Sequence, residues 1–149
     1  MAERSDKTVD LYGAFRHKVD AKGRLSLPAS FRKVLADDLV VIRHPVDECL
    51  YVFEPQDFNA WVAKLFVDKF GGFDDTNKQH RMLRSALRSS TSDVTIDATG
   101  RILLSAEMRA QAGIDKDVVI VGNTGYFEIW DAQRYDQTVA QTDLGLLFG

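Results

Sequence analysis

Two segments of the chain place an arginine directly after a glycine within the same thirteen-residue pattern. Residues 20–32 are DAKGRLSLPASFR and residues 97–109 are DATGRILLSAEMR, a shift of 77 positions with seven identities. A guanidinium held rigidly at a turn presents a planar fork of donors, which can bind a phosphate or the edge of a guanine bidentately. The pattern therefore predicts two matching polar sites, one at Arg24 and one at Arg101.

The glycine turns are the elements that must position these arginines. Gly23 and Gly100 each follow one strand-like run and precede another, and glycine permits the positive φ that a tight reversal requires. Asp20 and Asp97, three residues earlier, can accept hydrogen bonds from the backbone N–H groups of the turn. Two interpretations stay open: the aspartate and the arginine pair only to stabilise the turn, or the turn holds the arginine for a ligand.

The first copy of the pattern lies in a basic part of an otherwise acidic chain. The net charge is −3, which argues weakly against nucleic acid as a partner. Residues 1–33, however, carry eight Lys or Arg and four acids, whereas the remainder carries 11 Lys or Arg and 18 acids. This asymmetry favours one basic face, and chance clustering on a solvated surface is the alternative. The basic side chains around Arg24 are Arg16, Lys18, Lys22, Arg32 and Lys33.

The repeat continues beyond the turn. After each copy come a short amphipathic stretch and two strand-like runs, residues 39–42 and 49–54 in the first copy and 118–121 and 126–131 in the second. Turn residues between the runs predict a hairpin in each copy. Pro28 suits the first position of a short helix, Ser105 an N-cap and Gly113 the position just after a helix. Units of about 45 residues bury little surface alone, so we expect the two to share one core as a single pseudo-twofold body.

Two helices are predicted between the copies. Residues 58–66 carry apolar side chains at i, i+3, i+4, i+7 and i+8, which form one apolar stripe. The stripe consists of Phe58, Trp61, Val62, Leu65 and Phe66. FGGF at residues 70–73 ends this helix, and the next is predicted to start at Thr76 with a capping box. SSTS at residues 89–92 is then the linker into the second copy.

Two features of the connector and the chain end leave alternatives open. The second helix has an apolar side with Met82, Leu83, Ala86 and Leu87, and a basic stripe with Lys78, Arg81, Arg84 and Arg88. A solvated face is the favoured interpretation of the stripe, and phosphate contact is the alternative. The last residues, DLGLLFG, are apolar and form either a frayed tail or an intersubunit patch.

Several classes of protein are disfavoured. The composition, 45% hydrophobic and 28% charged, is that of a soluble globular protein. There is no apolar run of membrane-spanning length and no secretory signal, so a cytosolic protein is expected. Cys49 is the one cysteine and is expected in the core, and the three histidines lack the spacing of metal ligands. His17 is either an ordinary surface histidine or a phosphate contact. No nucleophile or acid–base pair stands out, so we expect no enzyme, no cofactor, no metal and no small-molecule substrate.

The two copies resemble the SpoVT-AbrB type of DNA-binding domain, with its D-x-x-G-R-[apolar]-x-[apolar]-P-x-x-x-R signature. Two such copies in a chain of this length resemble the MraZ family of bacterial transcriptional regulators. The resemblance covers residues 13–130, and VGNTGYFEIWD from Val121 is also similar to this family. It implies an α+β fold of tandem swapped-hairpin β-barrel units with flanking helices. The corresponding divisions are an AbrB-like domain at 13–56, a helical connector at 57–90, a second AbrB-like domain at 91–134 and a C-terminal helix and tail at 135–149.

The resemblance also implies a function. Members of this family form ring-shaped homo-oligomers, associate with the nucleoid and bind repeated short sites on double-stranded DNA upstream of the division and cell-wall gene cluster, usually as repressors. The arginine of the G-R pair corresponds to Arg24 and Arg101, and the closing arginine corresponds to Arg32 and Arg109. Lys22 occupies the basic position inside the first turn. The further DNA-binding candidates are Arg16, Lys18 and Lys33.

The second copy departs from the signature. Thr99 replaces Lys22, Ser105 replaces Pro28 and Ala110 replaces Lys33, which favours a mainly structural or assembly role for this half. Two other classes of function compete with DNA binding. One is an AbrB-like oligomeric scaffold whose main partner is another protein, which the acidic bulk of the chain would suit. The other, with the least support, is a small enzyme on a β-barrel.

Overall fold

Three strands from each half of the chain form one six-stranded sheet. The structure is a computed structural model that describes residues 8–149. The first half contains β1 (Ala14–Lys18), β2 (Arg24–Ser26), α1 (Ala29–Arg32), β3 (Asp38–Arg43) and β4 (Leu50–Phe53). Two helices follow, α2 (Pro55–Phe70) and α3 (Lys78–Ser89). The second half contains β5 (Thr91–Thr95), β6 (Arg101–Leu103), α4 (Ala106–Gln111), β7 (Asp117–Gly122), β8 (Phe127–Asp131) and α5 (Ala132–Ala140), followed by a 3-10 turn (Leu144–Leu147).

The first strand of each half pairs with the hairpin of the other half. The six-stranded sheet has the order β1-β7-β8-β4-β3-β5, and β2 pairs with β6 in a separate two-stranded ribbon. Ala14 in β1 lies opposite Val121 in β7, and the equivalent Thr91 in β5 lies opposite Ile42 in β3. The expected α+β fold, with swapped strands and a pseudo-twofold relation between the halves, is confirmed.

The sheet separates two apolar layers. On one face, the ribbon residues Leu25 and Ile102 pack with sheet residues such as Val52 and Ile120. On the other face, the helix residues Phe58 and Val62 belong to a second cluster that also includes Tyr51 and Phe53 of β4. All four residues of β4 are buried, because the side chains of a strand alternate between the faces and both faces of this strand are covered. Cys49 is fully buried, as expected, and burial raises the pKa of its thiol.

The two glycine turns are joined by backbone hydrogen bonds between the halves. Leu27 N–H donates to the carbonyl oxygen of Gly100 at 3.0 Å, and Leu104 N–H donates to that of Gly23 at 2.8 Å. Gly23 has φ +87°, and a Cβ atom there would lie 2.5 Å from the Leu104 carbonyl oxygen. Glycine is therefore required at this turn both for its backbone conformation and for the close approach of the other half.

Several local predictions are confirmed. The Ser105 side chain caps α4 by accepting from Met108 N–H, Gly113 follows the end of that helix with φ +65°, and Gly71 ends α2 with φ +81°. Phe58, Val62 and Phe66 of the predicted stripe are buried, whereas Leu65 is exposed.

Three boundaries differ from the prediction. Pro28 is the N-cap of α1 rather than its first helical residue, because its ψ of 142° is extended. Asn77, not Thr76, caps α3 by accepting from His80 N–H, while the Thr76 hydroxyl donates to Asp74. Residues 91 and 92 belong to β5 rather than to a linker, since they pair with β3.

Alanine substitution of the glycines separates backbone strain from the contact between the halves. Gly71→Ala should lower the free energy of unfolding by about 1–2 kcal/mol, because φ is positive there but no atom lies within 4 Å of the new Cβ. Gly23→Ala should lower it by roughly 1–3 kcal/mol more, because the Cβ meets backbone that cannot move aside. Urea unfolding of both variants checks this order. Equal losses would show that the contact with Leu104 contributes nothing.

Candidate nucleic-acid interface

The β2–β6 ribbon presents two arginines on its outer face. Leu25 and Ile102, opposite each other in the ribbon, are buried, so the residues on either side of them point outward. Arg24 lies opposite Leu103, and Arg101 lies two positions before Leu103. Such diagonal neighbours are about 7–8 Å apart. The ribbon therefore presents Arg24 and Arg101 on the same outer face.

In the first turn, one aspartate organises both the backbone and the arginine. Asp20 Oδ1 accepts from the backbone N–H groups of Lys22 and Arg24, each at 2.9 Å, and Oδ2 accepts from Arg24 Nε at 2.8 Å. These donors, the Arg24 backbone foremost, lower the pKa of Asp20. The pairing predicted by the first interpretation is thus present. It engages one of the five N–H donors of the guanidinium, and the Arg24 side chain is about one third exposed.

The second turn repeats this arrangement with one more donor. Asp97 Oδ1 accepts from Arg101 N–H and from both the N–H and the hydroxyl of Thr99, each at 2.9 Å. Asp97 Oδ2 accepts from Arg101 Nε at 3.3 Å. The Arg101 backbone and the Thr99 hydroxyl together lower the pKa of Asp97 from 3.8 to about 2. The residue that replaces Lys22 thus strengthens the turn instead of adding positive charge.

The closing arginines lie on the turns of the opposite half. The guanidinium of Arg32 packs against Gly100 in the second turn. Arg109 lies beside Gly23 in the first turn, where its Nη2 would be 3.3 Å from an added Cβ, and its Nε donates to Leu104 O at 3.2 Å. Each turn is therefore flanked by one arginine from its own half and one from the other. The sequence did not predict this exchange, because a repeated motif does not indicate whether an arginine contacts the turn of its own half or that of the other half.

Two predicted site residues of β1, Arg16 and Lys18, lie on the face of the sheet away from the ribbon. Their neighbours Phe15 and His17 face the ribbon, where the Phe15 ring packs on Phe31 and His17 Nδ1 bonds to Ser26 O at 2.5 Å. Because strand side chains alternate, Arg16 and Lys18 point the opposite way. Arg16 pairs with Asp136 of α5 at 2.6 Å, and Lys18 lies 3.5 Å from Asp117. The structure therefore does not bring these two residues to the ribbon face, and their contact with DNA stays a prediction.

The remaining basic residues are placed as follows. Lys22 is exposed at the tip of the first turn, and Lys33 is exposed at the C-terminal end of α1. Arg4 and Lys7, which contribute to the basic count of the N-terminal segment, lie outside the described residues.

Three of the four basic side chains in the stripe of α3 contact other residues of the chain. Arg81 Nη1 donates to Asp75 O, Arg84 lies 3.7 Å from the centre of the Phe73 ring, and Arg88 Nη1 donates to Asn59.

The ribbon face also contains residues that the sequence did not single out. Leu103 is 57% exposed directly opposite Arg24, and the exposed Ser26 lies opposite Arg101. Strand alternation around the buried Ile102 would have indicated Leu103. The described surface of this ribbon is therefore polar and basic with one apolar side chain.

Over residues 8–149, no three His, Cys or acidic side chains approach closely enough to hold a metal ion, and no helix is long and apolar enough to cross a membrane.

The pKa of Asp97 provides a test of the turn chemistry. Because the pKa of Asp97 in the folded chain lies below its ordinary value of 3.8, ionised Asp97 stabilises the folded state at pH values above 3.8. This contribution is lost as the pH falls from 3.8 toward 2. Thr99→Ala removes the hydroxyl donor and should raise the pKa of Asp97 toward 3.8. The pKa of Asp20 in the other turn, measured in the same NMR titration of carboxyl carbons, is the internal control. An unmoved Asp97, or equal movement of both, would contradict the assignment.

Comparison with known proteins identifies the family. A family model described as "MraZ protein, putative antitoxin-like" matches the chain twice, over residues 11–81 and 87–146. A relative named transcriptional regulator MraZ from Mycolicibacterium vanbaalenii is 40% identical over 124 residues, which cover 83% of each chain. Relatives of the same name are 38% identical over 123 residues in Saccharopolyspora erythraea (83% of this chain, 82% of the other) and 35% identical over 131 residues in Natranaerobius thermophilus (88% and 87%). With the family model matching nearly the whole chain, this protein belongs to the MraZ family.

Proposed function

We propose that the protein is a sequence-specific DNA-binding transcriptional regulator and that the outer face of the β2–β6 ribbon contacts the DNA. The observation that carries this proposal is the pair of arginines, Arg24 and Arg101, held by aspartates on one exposed surface. The name of the relatives, transcriptional regulator, supports the same function. The proposal extends to the second half, whose Arg101 points the same way as Arg24.

A two-stranded ribbon is one of the elements that enter the major groove of DNA. The groove is about 12 Å wide and admits a two-stranded ribbon. Arg24 and Arg101 would present their terminal N–H donors to guanine edges, which is the commonest specific contact to DNA. Lys22 at the turn tip would contact phosphate. Leu103 lies on the same face, where an apolar side chain can contact a thymine methyl group.

The regulatory role is proposed from the family resemblance. The protein would act as a repressor on repeated sites upstream of the division and cell-wall gene cluster, in the cytoplasm and associated with the nucleoid. It would assemble into a ring-shaped homo-oligomer that presents several ribbons to successive sites. No enzymatic step is part of this function.

Arg24→Ala should lower the affinity for a specific duplex by roughly 10- to 100-fold, the range expected for a lost bidentate contact. Arg101→Ala should cost less, because Thr99 stands where the first turn has Lys22. Arg24→Lys keeps the charge but loses the fork, so it should resemble Arg24→Ala. Fluorescence anisotropy with specific and scrambled duplexes measures these effects.

Arg81→Ala, on α3 at the far face of the sheet, is the matched control and should leave DNA affinity unchanged. Thermal unfolding must show that every variant is folded. Equal losses from Arg24→Ala and Arg101→Ala would mean that both halves contact DNA equivalently. Wild-type protein that binds no promoter duplex would favour the protein-binding scaffold instead.

The affinity for DNA should depend on both the number of binding sites in the duplex and the salt concentration, and the two effects should be linked. A duplex with two or more properly spaced sites should bind roughly 100-fold more tightly than one site, because linked sites raise the effective concentration. Each neutralised phosphate should contribute about −0.9 to the log–log slope of affinity against salt. A second site should therefore steepen the slope. If one site binds as tightly as several with the same slope, a single subunit suffices for recognition.

A further inference from the structure

The end of the chain presents an ordered apolar surface. The four large side chains of residues 144–148 are 68–87% exposed. They are Leu144, Leu146, Leu147 and Phe148. The Asp143 side chain caps the 3-10 turn by accepting from Gly145 N–H at 2.9 Å. In such a turn, residues three apart lie on one side, so Leu144 and Leu147 form a short apolar ridge. Exposed apolar side chains that are contiguous and held in place are typical of contact sites.

A complementary cleft lies between α2 and α3. It has a volume of about 320 Å³ and is lined by Leu65, Phe66, Phe70, Leu83 and Leu87, with Lys69 at its rim. Leu65, Phe70 and Leu83 are each at least 40% exposed. This is the apolar side predicted for the second connector helix, and the described chain leaves much of it in solvent.

Charge favours the C-terminal turn as the occupant of this cleft. Residues 137–149 carry Asp143 and no basic residue, whereas the residues that line the cleft include Lys69 and no acid. A copy that inserts its C-terminal turn would bring Asp143 toward Lys69, and opposite charges across an interface are complementary.

We propose that residues 144–148 of one subunit dock in the α2–α3 cleft of a second copy of this chain. The contact joins two different surfaces, so each subunit has one turn to offer and one cleft to fill. Such a heterologous interface generates a closed ring when the rotation between subunits closes. The inference rests on the homo-oligomer in the proposed function and assigns its interface.

The test uses full-length variants and light scattering in the absence of DNA. Leu147→Glu alters the turn and Leu83→Glu alters the cleft. Each should reduce the oligomer to a monomer, because a carboxylate would be buried in an apolar contact. Val46→Glu in the β3–β4 loop, where Val46 is 82% exposed, is the matched control and should keep the wild-type mass.

Mixing the two monomeric variants provides the decisive measurement. The Leu147→Glu chain retains its cleft and the Leu83→Glu chain retains its turn, so an equimolar mixture should form a 1:1 dimer and nothing larger. A mixture that stays monomeric would overturn the proposal, as would single variants that keep the wild-type mass or a wild-type chain that is itself monomeric. If Leu83→Glu is unfolded by circular dichroism, Leu65→Glu replaces it with the same expected result.

The same samples distinguish this inference from the proposed function. The monomeric variants should bind a single-site duplex with wild-type affinity and lose only the gain from multiple sites. Arg24→Ala should show the reverse, with the oligomer intact and the affinity for a specific duplex lowered by roughly 10- to 100-fold. A wild-type protein that assembles through the turn but binds no DNA would refute the proposed function alone.

Discussion

The reciprocal contact between the two glycine turns is the constraint on which the rest of the structure depends. Gly23 and Leu104 approach so closely that no side chain fits between them, and Gly100 accepts from Leu27 in the equivalent position. This contact sets the register of the β2–β6 ribbon, and the register places Arg24 and Arg101 on the same face. The ribbon in turn covers one side of the sheet. The backbone geometry of two glycines thus determines both the core and the candidate interface.

Arg24 and Arg101 are each held by an aspartate, which is unexpected for a surface that is proposed to contact a polyanion. The aspartate lowers the net charge of the turn but fixes the direction of the guanidinium. An arginine side chain has about 2 kcal/mol of rotamer entropy, and ordering it at an interface opposes binding. In this fold much of that ordering takes place during folding. The turn therefore fixes the orientation of the arginine side chain and does not only place a positive charge at the surface.

Local features could be predicted from the sequence, and long-range partners could not. The turn glycines, the Ser105 cap and the two hairpins follow from residues within a few positions of one another. The predicted start of α3 is wrong by one residue because Thr76 and Asn77 are both good caps. Asn77 caps the helix, and the Thr76 hydroxyl donates to Asp74.

The members of the candidate site illustrate the same limit. The two signature arginines were found by their spacing. The positions of Arg32 on Gly100 and of Arg16 beside Asp136 depend on the exchange of strands between the halves. Charge counted along the sequence placed Arg16 and Lys18 with Arg24, because it carries no information about which face of the sheet a strand residue occupies.

The exchange of strands has a consequence for synthesis of the chain on the ribosome. Strand β1 pairs with β7, so residue 14 finds its partner only when residue 121 is available. Translation adds roughly 5–20 residues per second, which leaves β1 without its partner for several seconds. During that time the nascent first half has neither its neighbour across the ribbon nor the β8 edge beside β4. Contacts this distant in sequence slow folding, and open strand edges invite pairing with other chains. The first half therefore depends on late-made residues and cannot complete its own fold before the second half emerges.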